Sequence, residues 1–202
     1  PTEEQQVKRC LLAAKKTRET QGKKRKQAPV LDEELIDAII KIPTSIGSEN
    51  DQLKTVTLLS IAKVSRLDEI YDLKGSDVEI IEVPGKLRIR VKIVNPKNED
   101  GDTYKEIDCD SHVMGNTVTN RLCTVKWCAA HELRMRKLKL KNDNFRLFPK
   151  VQKTSYAKKL KKLVNEQYPG MSSRWSLKNI TGHSLRRTGS TILKLRDVSE
   201  GE

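Results

Sequence analysis

Residues Ile180 to Thr191 (Ile-Thr-Gly-His-Ser-Leu-Arg-Arg-Thr-Gly-Ser-Thr) gather one imidazole, two guanidiniums and several hydroxyls into a short stretch of helical pattern. Such a set suits a phosphate, because guanidiniums bind oxyanions through paired N–H donors. His183 and Arg186 stand three apart, so a helix presents them on one face, while Leu185, Ile192 and Leu195 point toward a core. Gly182, just ahead, lets the backbone come close to whatever those side chains hold. Taken alone, His-x-x-Arg reads equally well as an exposed pair on a helix surface. A second element, Val64 to Val78, changes the balance: Arg66 and Glu69 share a face there, and Leu67, Ile70 and Leu73 form the apolar stripe beneath them.

Positioning these two boxes requires the rest of the chain. A segment over residues 3–19 has the spacing of a short amphipathic helix, and Gln21 to Gln27 reads as a solvated linker whose Lys23–Lys26 run could contact phosphates or serve as a nuclear import address. Residues 1–27 are therefore expected to form a basic helix and linker, and 28–202 one domain. Asp32 or a neighbour caps a helix carrying Leu35, Ile36, Ile39 and Ile40 that Pro43 stops; Ser45 to Asp51 reads as a polar loop. Gln52 to Lys63 is apolar on more than one side, the mark of a buried helix that sets the Arg66 turn deep in the protein. Lys86 to Val94 alternates Leu87, Ile89, Val91 and Ile93 with Arg88, Arg90 and Lys92, predicting a half-buried strand with one basic face. The turn formers from Asn95 to Asp102 and the return over Thr103 to Asp110 complete a hairpin with Lys97 at its tip. Thr117 to Lys137 is a long helix with Leu122, Val125, Cys128 or Ala129 and Leu133 inside and Arg121, Lys126, Arg134, Arg136 and Lys137 outside. Phe145 to Pro149 is an apolar plug, and Thr154 or Ser155 opens a lysine-rich helix that runs to about Tyr168.

The chain has 202 residues, enough for one substantial core, and a net charge of +13, an excess that points to a polyanionic partner. No apolar run approaches the roughly 18 residues of a membrane span, and nothing at the start resembles a secretory signal, so an intracellular soluble protein is expected. Cys10, Cys109, Cys123 and Cys128 are too few for a disulfide scaffold. Cys109, His112, Cys128 and His131 carry the ligand types of a structural zinc site, but not at a usual finger spacing, and no metal site is expected.

In order, Arg66-x-x-Glu69-Ile70-x-x-Leu73-x-x-x-Asp77, a hairpin, Leu147-Phe148-Pro149, and His183-x-Leu185-Arg186-Arg187-Thr188-x-x-Thr191 resemble the catalytic domain of the tyrosine recombinases, or phage-type integrases. The resemblance runs from about Ala28 to Leu195. It implies a mixed α/β, mostly helical fold with a small sheet or hairpin. It also implies a reaction in which a tyrosine attacks a phosphodiester of double-stranded DNA, leaves a 3′-phosphotyrosine and frees a 5′-hydroxyl, with no cofactor. By match to the family pattern, Arg66 and Arg186 neutralise the non-bridging oxygens, His183 moves the nucleophile's proton, and Lys97 protonates the leaving oxygen, with Lys92 or Lys105 as substitutes. Glu69 orients its arginine neighbours. Arg88, Arg90, Lys92, Lys158, Lys162 and Arg187 are the expected DNA-backbone contacts. The family's nucleophile lies beyond the histidine–arginine helix, and none of Tyr71, Tyr104, Tyr156 or Tyr168 follows Arg186. A homodimer or tetramer on DNA is expected of the full protein. The lysine-rich composition and the Ser-Leu-Arg-Arg-Thr-Gly-Ser-Thr wording look closest to recombinases of eukaryotic mobile elements, which act in the nucleus. The alternative is an inactive DNA-binding or scaffold protein on the same fold. Arg66, His183 and Arg186, 120 positions apart at their extremes, must then meet across a single cavity.

Overall fold

The computed structural model describes residues 28–63, 65–83, 86–93, 101–110, 121–171, 174–175 and 177–199. The amphipathic helix expected over residues 3–19, the linker behind it, Lys97, Cys10 and His112 lie outside the described residues, as do the side chains of Cys109, Leu122, Cys123 and Leu195. Among the described residues the chain is mostly helical, with one three-stranded antiparallel sheet.

Helix α1 (Glu33–Lys41) starts where Asp32 Oδ1 accepts the Glu34 N–H at 3.0 Å. Glu33 and Glu34 in its first turn and Lys41 in its last complement the helix dipole. Leu35, Ile36, Ala38 and Ile39 make its buried face. Helix α2 (Glu49–Lys63) begins three residues before the apolar pattern does, because Ser48 Oγ accepts the Asp51 N–H at 3.1 Å and Asp51 itself turns inward. The expected polar loop is shortened accordingly.

Helix α2 is the axis of the core, buried from Asp51 to Ala62, and packs against most of the other helices. A helix buried all round must satisfy its polar side chains internally. Thr55, Thr57 and Ser60 do so by donating to the carbonyls of Asp51, Leu53 and Val56 at 2.8, 2.6 and 2.8 Å. Lys54 donates from Nζ to the Ile42 carbonyl at 3.0 Å, with Glu132 3.8 Å away. Burial pushes the Glu132 carboxyl above its ordinary range, against the pull of Lys54.

Helix α3 (Leu67–Tyr71) follows directly, then a 3-10 turn (Gly75–Asp77) and strands β1 (Val78–Val83), β2 (Lys86–Ile93) and β3 (Thr103–Asp110), in the order β1-β2-β3. Ile89, Val91, Ile93 and Ile107 fill the inner face of the sheet. The β2–β3 hairpin matches the sequence pattern, whereas β1 is an added strand: its Val-Glu-Ile-Ile-Glu-Val order lacks the alternation that marks β2.

Helix α4 (Arg121–Lys139) packs on α2, with Val125, Ala129, Ala130 and Leu133 buried. Arg136, expected outside, is 5% exposed: its guanidinium lies 5.3 Å over the Phe148 ring, and Nη2 donates to Asp51 Oδ2. Burial lowers the Arg136 pKa while Asp51 opposes that shift. Asp51 Oδ2 also accepts the Gly47 N–H at 2.7 Å. Lys137, also expected outside, is half-buried and donates to the Gly75 carbonyl at 2.7 Å. Leu147 and Phe148 plug the core, while Phe145 of the same run is 60% exposed. The plug is tied to the end of α3 by Leu147 N–H to the Leu73 carbonyl at 2.8 Å and Gly75 N–H to the Phe145 carbonyl at 3.1 Å. Helix α5 (Tyr156–Gln167) follows Ser155, and helix α6 (Gly182–Ser199) carries the histidine–arginine box. Trp175 between them, expected in a polar loop, is buried edge-on to Tyr168 at 5.6 Å.

No helix among the described residues is long and apolar enough to cross a membrane. Asp51→Ala should strip the buried Arg136 of its counter-charge and destabilise the fold by about 3–5 kcal/mol, read as a lower denaturant midpoint with unchanged slope.

Candidate active site

Three helix beginnings converge on one cleft of about 510 Å³: Arg66, Leu67 and Asp68 at α3, Tyr156 and Ala157 at α5, and Thr181, Gly182 and His183 at α6. Arg186 and Lys153 complete the lining. Arg66, His183 and Arg186 therefore face one cavity although the chain separates them widely. His183 and Arg186 are exposed to solvent and Arg66 is half-buried, the disposition of groups that can meet an incoming ligand.

Gly182 lines the cleft and also packs against Leu67. A Cβ at that position would stand 3.3 Å from Leu67 Cβ and 3.4 Å from Leu67 Cδ2, so the missing side chain is what lets the α6 beginning approach α3. The first turn of α6 is closed by Ser184, whose N–H donates to the Thr181 carbonyl at 3.0 Å and whose Oγ accepts the Thr181 N–H at 3.1 Å. Farther along, Thr188 Oγ1 donates to the Ser184 carbonyl at 2.7 Å and accepts the Leu31 N–H at 2.8 Å. Arg187 points away from the cleft lining and donates to the Ala28 carbonyl.

Glu69 braces Arg66 from behind: its Oε2 accepts the Arg66 backbone N–H at 3.1 Å and the Lys105 ammonium at 3.3 Å. Lys105 also donates to the buried Ser65 Oγ at 3.1 Å. Lys105 thus sits behind the arginine and is not among the cleft-lining residues. Lys92 is held by Asp102 at 2.7 Å, which raises its pKa, and it does not line the cleft either.

Within the cleft, the Lys153 ammonium beside Asp68, 2.8 Å away, holds that carboxyl below its usual range. Asp68 pairs with Lys153 and also feels the Arg66 guanidinium, so the lining sets the cations Arg66, Lys153 and Arg186 against one carboxylate. The partial positive charge at the beginnings of α5 and α6 adds to theirs. A single anion with several acceptor oxygens is the ligand this field favours. Asp68 and Lys153 had no sequence signal beyond proximity to Arg66 and to a helix start.

Tyr156 also lines the cleft, but its hydroxyl shares a 2.6 Å hydrogen bond with Thr57 and is fully buried. Burial pushes that phenol far above its ordinary pKa. Buried, bonded and protonated, it is a wall of the cleft and not a nucleophile. The strand face expected to be basic is neutralised row by row: Arg90 lies between Glu79 and Glu106, with Nη1 3.0 Å from Glu79 and Nη2 2.8 Å from Glu106. Arg88 Nε lies 3.9 Å from Glu106. Lys158 and Lys162 are exposed on α5. Cys128 is half-buried, its thiol pushed up by burial, while His131 stacks on Trp127 at 5.1 Å. No cluster of potential metal ligands occurs among the described residues.

Gly182→Val should force α6 away from Leu67, costing about 1–3 kcal/mol in thermal or denaturant unfolding. Tyr156 carries a pH dependence of definite sign. Its folded pKa is raised, so its contribution is complete below the unfolded value of about 10 and is lost as pH rises above it. Denaturant midpoints measured on both sides of that value should fall more steeply in the native protein than in Tyr156→Phe.

No protein-family model and no curated protein matches this chain. Solved structures do match. A Flpe–Holliday junction complex aligns with a TM-score of 0.47 and 13% identity over 83% of this chain and 42% of that one. An FLP recombinase–Holliday junction complex gives 0.46 and 11% over 83% and 40%. A mutant Flpe in a DNA Holliday junction complex gives 0.47 and 10% over 98% and 48%. The chain spans less than half the length of these solved chains.

Proposed function

We propose that the cleft binds one phosphodiester of double-stranded DNA, and that the chain is the catalytic domain of a tyrosine recombinase that breaks and rejoins DNA strands. The observation that carries this reading is the joint lining of one 510 Å³ cleft by Arg66, His183 and Arg186. Two guanidiniums entering from different helices can each pair with non-bridging oxygens of the same phosphate, and this charge neutralisation is strongest where negative charge grows in the transition state. His183, exposed beside them, accepts the proton of an attacking hydroxyl.

In this mechanism a tyrosine oxygen bonds to phosphorus as the bond to the 5′-oxygen breaks. The tyrosine proton passes to His183, and an ammonium returns one to the 5′-oxygen. One phosphodiester replaces another, so the energy of the broken bond is retained and religation by a second 5′-hydroxyl runs the same steps backward. Tyr156 is sequestered, and Tyr71, Tyr104 and Tyr168 do not line the cleft, so the proposed nucleophile is a tyrosine presented to the cleft by something other than these four positions of the chain. Lys97 is the proposed proton donor at the leaving oxygen. Lys105 supports Arg66 indirectly, through Glu69. The protein acts as a dimer or tetramer on DNA, and its lysine-rich composition favours a eukaryotic mobile element as its source and the nucleus as its site of action.

The test is covalent trapping on nicked duplex DNA with the full-length protein. The native protein should form a protease-sensitive adduct, and Arg186→Ala should lower its rate by about 10²–10³-fold, the usual effect of removing one transition-state donor. Duplex affinity should change by less than about tenfold, since one phosphate contact among many contributes little to binding. Undiminished cleavage by Arg186→Ala would overturn the assignment. DNA binding with no adduct from the native protein would establish instead the inactive, DNA-binding reading of the same fold.

A further inference from the structure

Helices α2 and α4 meet along a seam of four charged side chains. Asp51 and Lys54 stand one turn apart on α2, and Glu132 and Arg136 one turn apart on α4, so each helix brings one acid and one base to the contact. The pairing is crossed: Arg136 Nη2 donates to Asp51 Oδ2, and Lys54 Nζ lies 3.8 Å from Glu132 Oε1. Asp51 is 1%, Arg136 5% and Lys54 8% exposed, and the Glu132 side chain 20%. Helix α4 also packs on β2, β3 and α6, whose buried residues are uncharged, Ile89, Val91, Ile107, Leu185 and Thr188 among them.

One atom of the seam lacks a donor. Asp51 Oδ2 accepts from the Gly47 N–H and from Arg136, while Oδ1, also buried, has no hydrogen-bond partner among the described residues. A buried carboxylate oxygen left in that state is costly. Lys54 turns its ammonium to the Ile42 carbonyl at 3.0 Å, and Arg136 Nη1 reaches the Leu147 carbonyl at 3.4 Å. The group within hydrogen-bond reach of Asp51 is the Glu132 carboxyl, which can donate only while it keeps its proton. We propose that Glu132 retains a proton in the folded protein and donates its O–H to Asp51 Oδ1, so that the seam between α2 and α4 is a proton-binding site whose emptying loosens the fold. The seam lies in the core and is independent of what the cleft binds.

The surroundings favour the proton. Burial is the largest cause holding the Glu132 carboxyl above its ordinary range; the Asp51 carboxylate adds to it through like charge and the hydrogen bond, while Lys54 and His131 pull the other way. Cys128, one turn earlier on α4, has its thiol pushed up by burial and adds no charge. Unfolding returns Glu132 to the ordinary value of about 4.3, so the stability that the proton contributes is complete below that value and is lost as pH rises through the raised folded value. A plain Lys54–Glu132 ion pair has the opposite sign, strengthening as Glu132 ionises. Emptying the site sets two carboxylates side by side at the contact that also holds the Phe148 plug through Arg136.

The experiment is urea unfolding of the whole chain from about pH 4 to about pH 8, comparing native protein with Glu132→Gln, whose amide N–H can donate to Asp51 Oδ1 at every pH. The unfolding constant of the native protein, divided by that of the variant, should rise with pH by up to about tenfold per unit, the limit for one proton, beginning above the ordinary carboxyl value. A constant ratio overturns the site, and so does a ratio that falls with rising pH, the behaviour of the ion pair. An equal rise against Glu166→Gln, which removes an exposed glutamate, would trace the effect to net charge and overturn it as well. Should Glu132→Gln fail to fold, the side-chain carboxyl carbon of Glu132 in the native protein is followed by NMR through the same pH range. A midpoint above that of a free glutamate supports the site, and one at or below it overturns it.

Discussion

The contact between Gly182 and Leu67 is the constraint on which the site depends. Leu67 follows Arg66 directly, and Gly182 precedes His183, so the closeness of their backbones fixes the closeness of the groups that line the cleft. A methyl group on Gly182 would stand 3.3 Å from Leu67 Cβ, a tight contact that asks the buried leucine to give by a few tenths of an ångström. Helix α2 supplies the platform: buried along nearly its whole length, it delivers the chain to Ser65 and Arg66 from inside the protein, and α6 packs back across it. The cleft is thus a consequence of core packing, with its charged groups added at the ends of buried elements.

Charge is distributed by the same logic of position. In the interior, Arg136 is matched by Asp51 and covered by Phe148; on the sheet, arginines alternate with glutamates across neighbouring strands; behind the cleft, Lys105 and Glu69 hold one another and the Arg66 backbone. Elsewhere cations outnumber carboxylates: at the cleft, along α5 and on α4, whose nineteen residues hold six Lys and Arg against one Glu. Of the net charge of +13, residues 1–27 contribute nine Lys and Arg against three Glu, outside the described residues.

Much of this was legible in the sequence where local rules govern. Asp32 as a cap, the apolar period of α1 and the alternation of β2 each correspond to an element found where the pattern places it. The two arginine boxes were legible as faces of helices, since residues three apart must share one. Partners distant in the chain were not. Arg136 falls three positions after Leu133, which is compatible with an inward face, but only Asp51, 85 positions away, makes an inward guanidinium tolerable. The acidic partners of Arg88 and Arg90 depended on cross-strand register, which no single strand reveals, and β1 hid behind an irregular pattern. Gly182 was legible as a place of close approach, while the identity of its neighbour required the fold.

Helix α6 is gripped near its middle, where Thr188 takes the Leu31 amide and Arg187 takes the Ala28 carbonyl, and it continues for eleven more residues to Ser199. Mechanically it is a beam pinned part-way along its span. Ile192 adds a further hold against the core, so unwinding that starts toward Ser199 meets Ile192, Thr188 and Arg187 before it reaches Arg186 and His183.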